Sequence, residues 1–160
     1  MSLVENPLEP NQDSLSEGFP AFDQIHHCYL DVRGYEIDSF GHVNNAIYYN
    51  YFEYARWLLM ETKEKAPVEV NVLETIHPVV RSAEIRFRRP ARVGDRLKIT
   101  TKMDGLSPVK IVLRQEILRQ EQVVASALMT IAFIEQTGRP VLVPNYFKQL
   151  FATSNTTLKK

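Results

Sequence analysis

Between Ala46 and Met60 the apolar side chains fall on two neighbouring stripes at helical spacing, Ile47, Tyr51, Tyr54 and Leu58 on one and Tyr48, Phe52, Ala55 and Leu59 on the other. An ordinary surface helix hides one such stripe. The double stripe predicts a helix that has to be surrounded. Glu53, Arg56, Glu61 and Lys63 are its main charged interruptions, and Glu53 and Arg56, three residues apart, are spaced to pair with each other.

Past Lys65 the period changes to two. Ala83, Ile85 and Phe87 alternate with Glu84, Arg86 and Arg88, and Leu97, Ile99, Thr101 and Met103 alternate with Lys98, Thr100 and Lys102. These patterns predict half-buried strands from Val79 to Arg88 and from Leu97 to Met103. Two more are predicted from Val109 to Arg119 and from Gln122 to Glu135, the last so continuously apolar that it reads as a central strand covered on both faces. Turn signals separate them at Arg92-Val93-Gly94-Asp95, Asp104-Gly105-Leu106-Ser107-Pro108 and Arg119-Gln120-Glu121-Gln122. Hairpin spacing predicts an antiparallel meander of these four strands, with His26 to Ile37 as a fifth strand before the helix.

One helix apolar nearly all round, with one antiparallel sheet available to wrap it, is an α+β arrangement in which each element buries the other. The expected organisation is a flexible arm over residues 1–20, a single domain over 21–151 and a polar tail over 152–160, with a short helix or turn from Asn145 to Phe151. At 160 residues the chain is long enough for one domain with a real core.

Formal charge is zero, which gives no bulk attraction for nucleic acid. The distribution is uneven, however. Residues 81–102 carry eight bases (Arg81, Arg86, Arg88, Arg89, Arg92, Arg96, Lys98 and Lys102) against Glu84 and Asp95, while residues 1–20 carry four acids and no base. A solvated strand face and an anion-binding patch account for the basic run equally well. The lone Cys28 can form no disulfide within the chain and suits a reducing, cytoplasmic compartment. His26, His27, His42 and His77 do not recur at metal-ligand spacing, so neither a metal nor a cofactor is called for. No apolar run is long enough to span a membrane, and the acidic N-terminus is neither a signal nor a transit peptide.

The chemistry concentrates just before the helix, in Asp38-Ser39-Phe40-Gly41-His42-Val43-Asn44-Asn45. Gly41 permits a turn closed to most residues, and Asn44 or Asn45 can cap the helix. The first free N–H groups and the positive end of the helix dipole then face the loop that carries Asp38, an arrangement that polarises a carbonyl oxygen. Each residue alone has an ordinary structural use as a turn, cap or hydrogen-bonding residue. It is their combination with the helix that points to a reactive carbonyl.

The stretch Val32-Arg33-Gly34-Tyr35-Glu36-Ile37-Asp38 through Tyr48, followed by Tyr51-Phe52-Glu53 and Ala55-Arg56, resembles the signature of the hotdog-fold acyl thioesterases. The similarity runs over roughly residues 24–147, and within that group the chain is similar to the 4-hydroxybenzoyl-CoA thioesterase type and to the acyl-acyl carrier protein thioesterases of plants and cyanobacteria. It implies a curved antiparallel sheet of five or six strands around one long helix, assembled as a homodimer or homotetramer. The implied activity is hydrolysis of an acyl-CoA or acyl-carrier-protein thioester. Asp38 falls on the loop acid of the family, as general base or nucleophile, and the amide that polarises the carbonyl belongs near Val43, Asn44 and Asn45. His42 and Asn45 would orient Asp38 or the water. Tyr48, Tyr51 and Phe52 would line the acyl channel, Arg88, Arg89 and Arg92 would meet phosphates or an acidic carrier, and Glu53 is a possible secondary acid. Asn45 stands where the benzoyl-type enzymes carry an aromatic residue, so an aromatic acyl group does not follow.

Two other functions use related folds. A hotdog dehydratase or hydratase places its histidine in a different motif, typically with a following Pro-Gly, and His42 lacks one. A non-catalytic acyl-sensing module is expected to lack the loop acid and to carry a DNA-binding segment, whereas Asp38 is present and residues 1–20 fit no helix-turn-helix.

Overall fold

The computed structural model describes residues 24–61 and 75–152. The predicted arm over 1–20 and most of the polar tail lie outside the described residues. In chain order the elements are β1 (His26–Asp31), a single 3-10 turn (Gly34–Glu36), α1 (Asn45–Glu61), β2 (Ile76–Phe87), β3 (Arg96–Ser107), β4 (Lys110–Arg119), β5 (Gln122–Glu135), β6 (Pro140–Val141) and α2 (Asn145–Gln149).

Among the described residues the strands form one six-stranded antiparallel sheet in the order β1-β3-β4-β5-β2, with β6 added to β5. The expected meander therefore holds for β3, β4 and β5 but fails at β2. That strand pairs along its length with β5, from Ile76 opposite Glu135 to Phe87 opposite Ala125. Residues 88–95 then cross the end of the sheet to reach β3, held where they leave β2 by the amides of Arg88 and Arg89, both donating to the Val124 carbonyl.

Two more expectations change. The first strand stops at Asp31, because the chain turns inward through Gly34–Glu36 and buries Glu36. β3 runs through the predicted turn at Asp104, because a bulge between Met103 and Gly105 restores pairing with Val112, Ile111 and Lys110. The β4–β5 hairpin turns at Gln120 and Glu121, both at positive φ, as the tight turn between twisted strands requires.

The core lies between α1 and one face of the sheet. Phe52 and Leu59 of α1 meet Leu97 and Ile99 of β3, Ile111 and Ile117 of β4 and Met129 and Phe133 of β5, all buried. The expectation that β5 is covered on both faces is not met. Ala127, Met129, Ile131 and Phe133 are buried, but Ser126, Leu128, Thr130 and Ala132 on the opposite face stay half-exposed, because the single helix covers only one side.

Candidate active site

The turn before α1 is fastened at both ends. An isolated bridge joins Ile37 to Val43, the Asp38 amide donates to the His42 carbonyl at 2.8 Å, and the Gly41 amide donates to the Asp38 carbonyl at 3.0 Å. Gly41 takes φ of +76°, where a side chain would be strained. Within this turn Asp38 Oδ1 accepts from the amides of Phe40 at 2.9 Å and His42 at 3.4 Å. Its Oδ2 makes no hydrogen bond among the described residues. The carboxylate thus shapes its own turn with one oxygen and keeps the other available. His42 is half-buried beside it.

Asn44 caps the helix, its Oδ1 accepting from the Ala46 amide at 2.9 Å. The three amides expected near a substrate carbonyl now separate. Val43 N donates to the Ala91 carbonyl at 2.9 Å and Asn44 N to the Glu36 carbonyl at 2.9 Å, so both are spent on the fold. The Asn45 N–H has no such acceptor among the described residues. Asn45 is the first residue of α1, at the positive end of its dipole.

The crossing segment 88–95 brings the predicted basic residues to this place, since Ala91 is bonded to Val43 and its amide donates to the Tyr48 hydroxyl at 3.1 Å. Arg119 holds the segment from below, reaching Asp95 Oδ2 at 2.7 Å and the Pro90 carbonyl at 3.3 Å. Burial alone would raise the Asp95 carboxyl, but the bonds from Arg119 and the Arg92 amide hold it below its ordinary range. Arg88, Arg89 and Arg92 are exposed. Arg89 Nη1 donates to the Val123 carbonyl at 3.1 Å, whereas the guanidinium groups of Arg88 and Arg92 make no hydrogen bond among the described residues, Arg92 only adding its charge near Asp95. Arg86, Arg96 and Lys98 are already paired with Glu84, Asp31 and Glu121, so within the basic run 81–102 the residues outside ion pairs are those of the crossing segment with Arg81 and Lys102.

The helix aromatics predicted for an acyl channel are buried in the chain itself. Tyr48 packs edge to face against Tyr51 and Phe87, and Phe52 has no exposed surface. Glu53 is exposed about two turns along α1, roughly 12 Å from Asn45 at 1.5 Å per residue. It does not pair with Arg56 as expected. Arg56 turns inward and donates through Nη1 to Gln115 Oε1 at 2.9 Å, while Gln115 Nε2 donates to the Phe52 carbonyl at 3.1 Å and Thr101 Oγ1 at 2.9 Å. Among the described residues an apolar cavity lies at this second place, under Arg56 and α2, with Asp38 not in its lining.

One residue at the site escaped sequence reasoning. Glu36 is only 6% exposed, and its Oε2 accepts from the Tyr51 hydroxyl at 2.6 Å and the Arg33 amide at 2.7 Å. Together with the bond from Asn44 to its carbonyl, this ties the loop on both sides of Asp38 to α1. Burial, followed by the Glu36 bond and its charge, pushes the Tyr51 hydroxyl far above the ordinary tyrosine range, so it remains a donor at neutral pH. The signal available in the sequence was an acid at an alternating position in a segment read as a strand.

A six-stranded antiparallel sheet wrapped on one long helix is the hotdog fold of the thioesterases. The chain belongs to the thioesterase-like superfamily, which it matches over residues 32–151. It is 37% identical to the long-chain acyl-CoA thioesterase FadM of Escherichia coli over 66% of this chain and 80% of that protein. It is also 30% identical to the chloroplastic acyl-acyl carrier protein thioesterase ATL2 of Arabidopsis thaliana, over 79% of this chain and 68% of the relative. The crystal structure of a probable thioesterase from Bartonella henselae superposes with a TM-score of 0.68 at 30% identity, covering 76% of this chain and all of that one.

Proposed function

We propose that this chain hydrolyses an aliphatic acyl thioester carried by coenzyme A or an acyl carrier protein, releasing the free acid and the thiol. The observation that carries this reading is the pairing of one uncommitted N–H, at Asn45, with one uncommitted carboxylate oxygen, at Asp38. The Asn45 N–H receives the thioester oxygen as it gains negative charge, and a well-placed donor of this kind contributes on the order of 10²–10³ in rate. Asp38 either takes a proton from the attacking water or attacks the carbonyl itself. The carbonyl then reforms as the thiolate leaves and takes up a proton; where water attacked, the free acid is formed directly, and where Asp38 attacked, the resulting mixed anhydride is hydrolysed by water to the free acid and the regenerated carboxylate. Val43 and Asn44 act by fixing the helix start, and His42 by orienting Asp38 or the water. Tyr48, Tyr51 and Phe52 support the site from behind. The relatives that act on acyl-CoA and on acyl carrier protein favour these two carriers equally.

Both carriers present a phosphate, and the crossing segment supplies Arg88 and Arg92 to meet it. Replacing both with Ala is expected to raise KM several-fold with little change in kcat, because contacts remote from the carbonyl are made equally in ground and transition states. The effect should shrink in high salt, since these side chains are exposed. Steady-state kinetics on an acyl-CoA and on the matching acyl carrier protein test this. A KM indifferent to the substitutions and to salt on both substrates would strike the patch from the site.

The edge strands β1 and β2 each leave one side without a strand partner among the described residues. Covering such an edge with a second copy is the simplest way to satisfy its backbone groups, so we expect a homodimer or homotetramer. Light scattering should give at least twice the chain mass at micromolar concentration, and a stable monomer would contradict this. No helix among the described residues is long and apolar enough to cross a membrane. A reducing cytoplasmic compartment remains our proposal from the single Cys28.

A further inference from the structure

The second half of α1, strands β2, β4 and β5 and the short helix α2 enclose a cavity of about 70 Å³. Its walls are apolar, built from residues such as Leu59, Met60, Leu113, Ile131 and Phe147. Arg56 lines it and is only 8% exposed. A guanidinium this deeply buried is ordinarily paired with a carboxylate, because removing an unpaired charge from water is costly. Here the bonded partners are uncharged side chains, Tyr49 and Gln115, the latter already oriented by its bonds to Phe52 and Thr101. Burial lowers the Arg56 pKa below the ordinary arginine range, outweighing Tyr49 and then Glu53, which raise it; Glu53 also lines the cavity but makes no ion pair with Arg56.

We propose that this cavity is a binding site for a short aliphatic carboxylate, its head group paired with Arg56 and its tail among Leu59, Leu113, Ile131 and Phe147. A carboxylate supplies the compensating charge and matches the guanidinium fork, while the tail replaces empty apolar volume. The cavity has room for roughly five water-sized groups, which suits a tail of about four to six carbons. Arg56 stands 11 residues beyond Asn45, roughly 16 Å along the helix at 1.5 Å per residue, so this site is separate from the candidate catalytic turn. The acid released by thioester hydrolysis is one source of such a ligand, and that source alone rests on the proposed activity.

Trp57 is the only tryptophan in the chain and lines the cavity, so its fluorescence reports on occupancy. Titration of the full chain with hexanoate, without any thioester present, should give a saturable change in Trp57 emission. Hexanol should bind at least roughly tenfold more weakly and hexylammonium not at all, since a charge-assisted bond to a buried partner is worth about a factor of ten or more. Arg56→Gln should weaken hexanoate binding by a similar factor, and Leu113→Phe, which fills the cavity, should abolish it. The proposal is overturned if hexanoate gives no saturable change, if hexanol matches it, or if either folded variant binds hexanoate like the wild type. Should both variants fail to fold, the comparison of the three ligands on the wild type still decides. A protein that binds hexanoate but cleaves no thioester refutes the proposed activity alone, and one that cleaves thioesters without binding hexanoate refutes this site alone.

Discussion

Asp38→Asn is expected to lower kcat by roughly 10²–10⁴, about 3–5 kcal/mol of barrier, while leaving the fold and assembly intact. The substitution is informative because of what the turn asks of this side chain. Asp38 Oδ1 accepts two backbone amides, and an Asn carbonyl can accept the same two. The turn therefore survives, while the oxygen that would take the proton or attack the carbonyl is replaced by an N–H₂ donor. Asp38→Ala, by contrast, removes the acceptor as well and should also loosen the turn. Single-turnover kinetics with circular dichroism as a control on folding separates these effects. If Asp38→Asn turns over near the wild-type rate, Asp38 has no chemical role.

Phe52→Ala should be the most damaging single change to stability among the residues near the site, at about 3–5 kcal/mol. Phe52 has no exposed surface, and its ring lies in the core between α1 and the sheet. Its truncation leaves a cavity that surrounding strands cannot close, and its carbonyl anchors the Gln115 amide that in turn holds Arg56. Denaturant unfolding at a fixed pH measures the loss. A cost below about 1 kcal/mol accompanied by a changed acyl-chain preference would mean that Phe52 faces a channel after all, as the resemblance alone implied.

The elements legible in the sequence are those whose evidence is local. The helix α1, the Asn44 cap and the alternation of β3 depend on neighbours within a few residues, and the structure has each of them, although Tyr54 of the double stripe stays exposed because the sheet covers one side of the helix. The place of β2 was not legible, because hairpin spacing describes only which strand comes next. Its pairing with β5 is decided by a chain crossing at residues 88–95, and that crossing is what carries Arg88 and Arg92 to the helix start. The i, i+3 rule suggested Glu53 for Arg56 because it treats a helix as a surface, whereas Arg56 points into the core. A signal for the true partner was present. Thr101 and Gln115 occupy inward positions of otherwise apolar alternating strands, and polar groups on a buried face must find one another. Glu36 was hidden for a related reason, since the turn that buries it has no periodic pattern of its own.

The central claim is that the Asp38 turn and the Asn45 N–H together cleave an acyl thioester. The most direct test is release of free thiol by the purified wild-type chain from a panel of acyl-CoA and acyl carrier protein thioesters spanning short to long aliphatic chains. The account predicts thiol and free acid appearing in equal amounts, well above the spontaneous rate, for at least one aliphatic chain. A folded protein that leaves every thioester in the panel at its spontaneous rate would contradict it.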